Sequence, residues 1–281
     1  MRIVSLTYVN SPEYDQPLDW IRRLYAFTGV FEELSKQHTV YCIEQINYSG
    51  DILHKGVQYY FRNYGRGVSR FPAALHRLAR ELKPDVVLVR GLHFPLQVIQ
   101  LRRAIGSKPR IILENHFDRA PDGIRRILHK IASRSVDAYH FISAGNAREW
   151  IDSGIIKREK LVEIPAGTAN LVAEDKEAAK RRLGLSGTIN FLWVGSLSKR
   201  KDPLTVINAF EKYLDLHSGS KLYMIYQSEE LLPEIKKKTG TNKVLERAIE
   251  LVGCVPNKQL STWYSAADFY ISGSHGEGGS I

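Results

Sequence analysis

The sequence predicts an α/β fold made of two doubly wound, Rossmann-like lobes, each built on a parallel sheet. Three observations carry that expectation. Short β-rich runs alternate with longer segments of helical spacing, which is the pattern of βαβ units. The short runs are continuously apolar rather than alternating, as in parallel strands buried on both faces. The pattern also breaks near residue 165 and then starts again.

Taken in order, strands are expected at residues 3–9, 39–43, 57–61, 86–89, 110–113 and 138–142. Leu18, Ile21, Leu24, Phe27, Phe31 and Leu34 recur at intervals of three and four, which predicts one amphipathic helix. Ile124, Ile127, Leu128 and Ile131 predict another. The break is Glu163-Ile-Pro-Ala-Gly-Thr168, followed by a polar helix over 175–183 that Gly184 ends. The second lobe then reads as a strand at 189–194, a helix at 203–216, strands at 221–225 and 249–252, a helix at 258–265 and a strand at 269–271. Asp202-Pro203 is a helix start, an N-cap residue followed by proline at the first helical position. The expected domains are 1–165 and 166–281, the second with about four strands and cut short.

Composition narrows the class. Apolar content of 43% with 25% charged residues suits a water-soluble globular chain. Cys42 and Cys254 lie far apart in apolar, strand-like surroundings, so neither a disulfide framework nor a metal-ligand spacing is present. A reduced, cytoplasmic protein is the expectation. The N-terminus is too short and too polar for a signal peptide, and no apolar run approaches the roughly 20 residues that span a bilayer. Net charge is +10, and residues 1–165 carry +8 of it, with 25 Lys and Arg against 17 Asp and Glu. That excess suits phosphate-bearing ligands or peripheral contact with an anionic membrane through the N-terminal domain. No interleaved Arg and aromatic stripe suggests nucleic acid.

Four segments could carry chemistry. Val194-Gly-Ser-Leu-Ser-Lys-Arg-Lys-Asp202 joins a buried strand to a capped helix and gathers Lys199, Arg200 and Lys201, a set suited to a diphosphate. The alternative is a solvated basic loop. Gly273 to Ile281 places Glu277 among glycines after a strand, either a close-approach ligand loop or an ordinary glycine-rich turn. His93 and His116 follow buried strands, where a histidine can bond a phosphate or a sugar hydroxyl or simply stand exposed. Ile124 to Arg134 joins an apolar stripe to a basic face, either a surface helix packed on the core or an interfacial helix against anionic lipid. His54, His76 and His217 read as surface residues. No acidic cluster implies a metal ion.

Six pieces of the chain, in order, resemble the GT4 family of retaining glycosyltransferases, which have the GT-B fold. They are Lys83-Pro-Asp-Val-Val-Leu-Val-Arg-Gly91, Asp137-Ala-Tyr-His-Phe-Ile-Ser143, Ile164-Pro-Ala-Gly167, the run from Phe191-Leu-Trp-Val-Gly-Ser-Leu197 through Arg200-Lys201 to Ala209-Phe210, the run from Leu251-Val-Gly-Cys-Val-Pro256 to Tyr264-Ser-Ala-Ala-Asp268, and Ser274-His-Gly-Glu277-Gly-Gly279. The last resembles the first half of the EX7E signature, whose second glutamate would fall four residues beyond Ile281.

The resemblance implies two lobes facing across a cleft and transfer of a sugar from a UDP- or GDP-sugar to an acceptor hydroxyl. The acceptor would be a glycan, a lipid-linked or a small-molecule hydroxyl. It implies that Arg200 and Lys201 bind the donor diphosphate beside Gly195 and Ser196. Glu277 would contact the donor sugar, with the backbone of Gly278 and Gly279 close by. The run Gly253 to Pro256, Val255 within it, would flank the base, and His116 would be the cleft histidine. Gly29 would stand for the glycine at the start of the first helix. His93 and Arg119 are expected on the acceptor side. Departures from the family pattern are Ser196, where many members have arginine, and Tyr226-Gln227, where a glycine pair is usual. No cofactor beyond the donor is expected. The rival expectations are a non-catalytic or partner-dependent fragment that binds nucleotide sugars, and an epimerase of the same fold.

Overall fold

The computed structural model describes residues 1–65, 67, 70–115, 119–164, 167 and 171–275. The chain divides into two compact units between residues 169 and 170.

The first unit runs β1 (Arg2–Thr7), α1 (Pro17–Arg23), α2 (Tyr25–Ser35), β2 (Thr39–Glu44), β3 (Gly50–His54), β4 (Val57–Phe61), α3 (Ala73–Glu81), β5 (Val86–Arg90), α4 (Pro95–Ile105), β6 (Arg110–Glu114), α5 (Gly123–Ala132), β7 (Ala138–Phe141), α6 (Ala144–Asp152) and β8 (Leu161–Glu163). The eight strands form one sheet in the order β3-β4-β2-β1-β5-β6-β7-β8. All pairings are parallel except β3 with β4. Strand order turns at β1, so the crevice for a ligand lies where the loops after β1 and β5 diverge.

One face of this sheet is sealed by α3, α4 and α6, whose Leu75, Ala79, Val98, Leu101, Ala147 and Trp150 meet Val4, Leu6, Val87, Val89, Ile111 and Phe141. The other face is sealed over β1, β2 and β4 by Trp20 and Ile21 of α1 and Phe31 of α2. Over β5 to β8 the described residues do not seal it. Among the described residues, the side chains of Leu88, Ile112, Glu114 and His140 line an apolar hollow of about 290 Å³ beside α2. The expectation of strands buried on both faces therefore fails for this half of the sheet. β3, a solvated edge strand, was not legible as a strand at all.

Three local expectations are corrected. The single helix over 18–34 is two, because Leu24 (φ −90, ψ 16) leaves helical geometry. The Ile21 carbonyl is taken up by the Thr28 hydroxyl at 3.2 Å. His76 is buried, not exposed: it shares the inward face of α3 with Leu75 and Ala79, and its Nε2 lies 2.8 Å from the Tyr8 hydroxyl. Cys254 is exposed, whereas Cys42 is buried on β2.

The second unit runs α7 (Lys176–Leu183), β9 (Asn190–Gly195), α8 (Pro203–Leu214), β10 (Lys221–Tyr226), α9 (Leu232–Thr241), α10 (Lys243–Ala248), β11 (Ile249–Gly253), α11 (Asn257–Ala266) and β12 (Phe269–Tyr270). Its four parallel strands lie in the order β11-β10-β9-β12. α8, α9 and α10 cover one face, and α7 and α11 with Trp263 cover the other. Asp268 locks β12 to its neighbours: it accepts from Lys176 at 2.7 Å, Lys180 at 3.2 Å and the Asn190 backbone at 2.8 Å. Partial burial raises its carboxyl pKa, but these partners outweigh that and hold it at about 2.

Candidate functional site

In the second unit, strand order reverses between β9 and β12, so the loops that follow these strands diverge and leave a ligand crevice. The loop after β9 is tightly built. Leu197 is fully buried, its N–H donates to the Ser228 carbonyl at 3.2 Å, and its carbonyl accepts from Leu231 at 2.9 Å. The N–H groups of Lys201 and Asp202 both donate to the Ser198 carbonyl at 3.0 Å, which curls the loop and turns the chain into α8.

Asp202 has a left-handed backbone (φ 41) and caps α8, accepting from Thr205 N at 3.1 Å and Thr205 Oγ1 at 2.8 Å. It also meets His275 Nε2 at 2.9 Å. The bonds from Thr205, then that from His275, hold the Asp202 carboxyl below its ordinary range. At the start of α8, Pro203 has no N–H and Thr205 N is already bonded to Asp202, and the cations of the loop are the side chains of Lys199, Arg200 and Lys201.

The segment after β12 lies against this loop. His275 N donates to the Arg200 carbonyl at 3.0 Å, and a Cβ on Gly273 would sit 2.7 Å from the Asp202 carbonyl. Only glycine permits that approach.

At the carboxyl ends of β9, β10 and β11 is a hollow of about 300 Å³. Gly195, Ser196 and Val255 line it, so three residues expected from sequence to bind the donor share one cavity. Gly253 stands at its edge, where φ of +84 turns the chain from β11 into the Cys254–Asn257 rim. Cys254, within the run expected to flank the base, also lines it, as do Tyr226 and Gln227, which stand where the family has a glycine pair. Asn257 lines it too and was not singled out; its signal was topological, since it follows a strand of the same parallel sheet.

His93 is exposed in the loop after β5, at the crevice of the first unit. Arg119 is exposed beyond β6. Gly29 is buried as the fifth residue of α2, not at the start of a helix, which corrects its expected place. His116, Glu277, Gly278 and Gly279 lie outside the described residues. No group of three or more His, Cys, Asp or Glu among the described residues could hold a metal ion, and no described helix is long and apolar enough to cross a membrane.

Solved structures share this architecture throughout. Over 97% of this chain and 73% of the other, it superposes on a glycosyltransferase from Rickettsia africae with a TM-score of 0.69 at 15% identity. The match to sucrose-phosphate synthase from Thermosynechococcus elongatus covers 100% and 77%, with a TM-score of 0.68 at 14% identity. Anabaena HepE, solved with UDP, matches over 98% and 75% with a TM-score of 0.67 at 13% identity. The chain has the GT-B fold. No protein-family model and no curated protein matches the sequence.

Proposed function

We propose that this chain is a GT4-type, retaining hexosyltransferase that moves a sugar from a nucleoside diphosphate sugar to an acceptor hydroxyl. The observation that carries the reading is the hollow lined by Gly195, Ser196 and Val255 at the carboxyl ends of β9 to β11, with Arg200 and Lys201 in the loop that follows β9. In parallel sheets, ligands bind at such strand ends. A structure of the same fold, HepE, holds UDP.

In this reading Gly195 and Ser196 let the diphosphate approach the backbone, and Val255 packs on the base of a UDP- or GDP-sugar. Departure of the nucleoside diphosphate leaves charge on its phosphate oxygens. Arg200 and Lys201 stabilise that charge as it develops, which is where electrostatic catalysis acts. Glu277 contacts the donor sugar, with Gly278 and Gly279 beside it. The domain expected over residues 1–165 takes the acceptor, a glycan or a lipid-linked or small-molecule hydroxyl, with His93, His116 and Arg119 on that side. Its basic excess suits peripheral contact with an anionic membrane.

The test is a calorimetric titration of UDP and GDP against the chain and its Arg200→Ala/Lys201→Ala variant. Each charge-assisted contact is worth about 1.5–3 kcal/mol, roughly ten- to a hundredfold in affinity. Loss on that scale with an unchanged melting temperature supports the reading. Unchanged affinity overturns it. The anomeric configuration of a product, read by NMR, tests retention.

A further inference from the structure

We propose that helices α3, α4 and α5 of the first unit form a docking surface for an anionic lipid bilayer. The three pack side by side on one face of the sheet. Across them, Arg77, Arg80, Arg103, Arg125, Arg126 and Lys130 are set against Glu81 as the one acidic residue within the three helices, while Arg102 is taken up by Asp137.

α5 turns its apolar stripe outward. Ile124, Ile127 and Ile131 are 74%, 58% and 46% exposed and recur at intervals of three and four, so they form one ridge. Arg125, Lys130 and Arg134 flank that ridge, all exposed. The helix is held from its other side, where His129 meets the Trp150 ring edge-on at 5.4 Å and Arg126 donates to the Ser153 carbonyl at 2.8 Å.

A second observation lies on the same layer. Between α3 and α4 an open hollow of about 560 Å³ is lined by Arg77, Arg80 and Arg103. Among the described residues none of these arginines pairs with a carboxylate. At its rim stands Phe71, 82% exposed.

Exposed isoleucines and a phenylalanine are costly in water and useful at the boundary between headgroups and acyl chains. Unpaired arginines beside them meet lipid phosphates, singly or two to a headgroup in the hollow. An acidic protein or a nucleic acid would use the cations but leave the isoleucine ridge in water. A bilayer of anionic lipid satisfies both.

The experiment is co-sedimentation of the whole chain with vesicles of phosphatidylcholine alone and of phosphatidylcholine mixed with phosphatidylglycerol. Partition onto the mixed vesicles, weakened by salt, is expected. Replacing three surface arginines in Arg77→Ala/Arg80→Ala/Arg103→Ala should weaken partition about a hundredfold, at roughly fivefold for each charge near the surface. Ile124→Ser/Ile127→Ser should weaken it on the order of tenfold or more without changing salt sensitivity. Both variants alter exposed side chains, and an unchanged melting temperature shows that they fold. The proposal is overturned if the chain does not partition onto anionic vesicles. It is equally overturned if the isoleucine variant binds as well as the parent while DNA competes, which would mark a general polyanion surface.

Discussion

Glu44 ends β2 and Arg90 ends β5, and their side chains meet at 2.6 Å from Oε1 to Nη2 across the end of β1. Both are nearly sealed from water, and the second Glu44 oxygen accepts from Trp20 Nε1 at 3.0 Å. One carboxylate thus ties two strand ends and α1 together, and sets the start of the loop that carries His93. Burial lowers the Arg90 pKa, and Glu44 more than offsets it.

Removing one partner of such a pair leaves the other charged and buried. Glu44→Gln should therefore destabilise the first unit by about 3–5 kcal/mol, read from chemical denaturation. Glu44→Gln combined with Arg90→Met should recover much of that loss, because no unpaired charge remains. If the double variant is no more stable than the single, the pair is not what holds these strand ends.

His76 gives an acid-side signature. Burial lowers its pKa from 6.5 to about 4. The unfolded chain therefore binds a proton more readily than the folded one, so stability is lost as pH falls from 6.5 towards 4 and is unaffected above that window. His76→Gln keeps a partner for the Tyr8 hydroxyl and removes the titration. The difference between parent and variant stability should grow across that window by on the order of 2–3 kcal/mol. Parallel curves would show that His76 titrates normally.

Cys254 reports on the proposed donor hollow, which it lines from an exposed position. A maleimide should label it once per chain, and UDP or GDP at saturation should slow that labelling severalfold. Cys42 should stay unlabelled in the native state, because burial and then the Glu44 charge push its thiol pKa far up. Labelling of Cys254 at the same rate with and without either nucleotide would place the nucleotide elsewhere.

Gly273→Ala should separate the loop after β12 from the loop after β9, because the new methyl has only 2.7 Å to the Asp202 carbonyl. A backbone shift of this kind costs about 1–3 kcal/mol. Nucleotide affinity should fall too, since the loop carrying Arg200 and Lys201 must move. Affinity and stability both unchanged would show that the two loops need not touch.

Most of the fold could be read from sequence because its central strands are short apolar runs separated by segments of helical spacing. Asp202 and Gly184 cap α8 and α7 as their residue types predict. β3 was missed because, as a five-residue edge strand with Ile52 alone packed on the core, it carries too short an apolar signature. The break at Leu24 was missed because periodicity continues across it, and only backbone angles register it. In the hollow at the ends of β9 to β11, Gly195, Ser196 and Val255 were named from motif resemblance. Tyr226, Gln227 and Cys254 lay in motif positions whose side chains differ from the family pattern or were not assigned one by one, and Asn257 had no signal beyond following a strand end that converges on the same space. His76 was misjudged because a histidine among leucine and alanine gives no sign of a tyrosine hydroxyl 68 residues away.

The turn of strand order at β1 also has a temporal consequence. β1 leaves the ribosome well before its neighbour β5: Arg2 N reaches Asp85 across a separation of 83 residues. At about 5–20 residues per second, translation leaves one edge of β1 without its partner for several seconds. Pairing at such separation also slows refolding, because the loop must close before any contact rewards it. The nascent first unit therefore keeps a bare strand edge until Arg90 has emerged to meet Glu44.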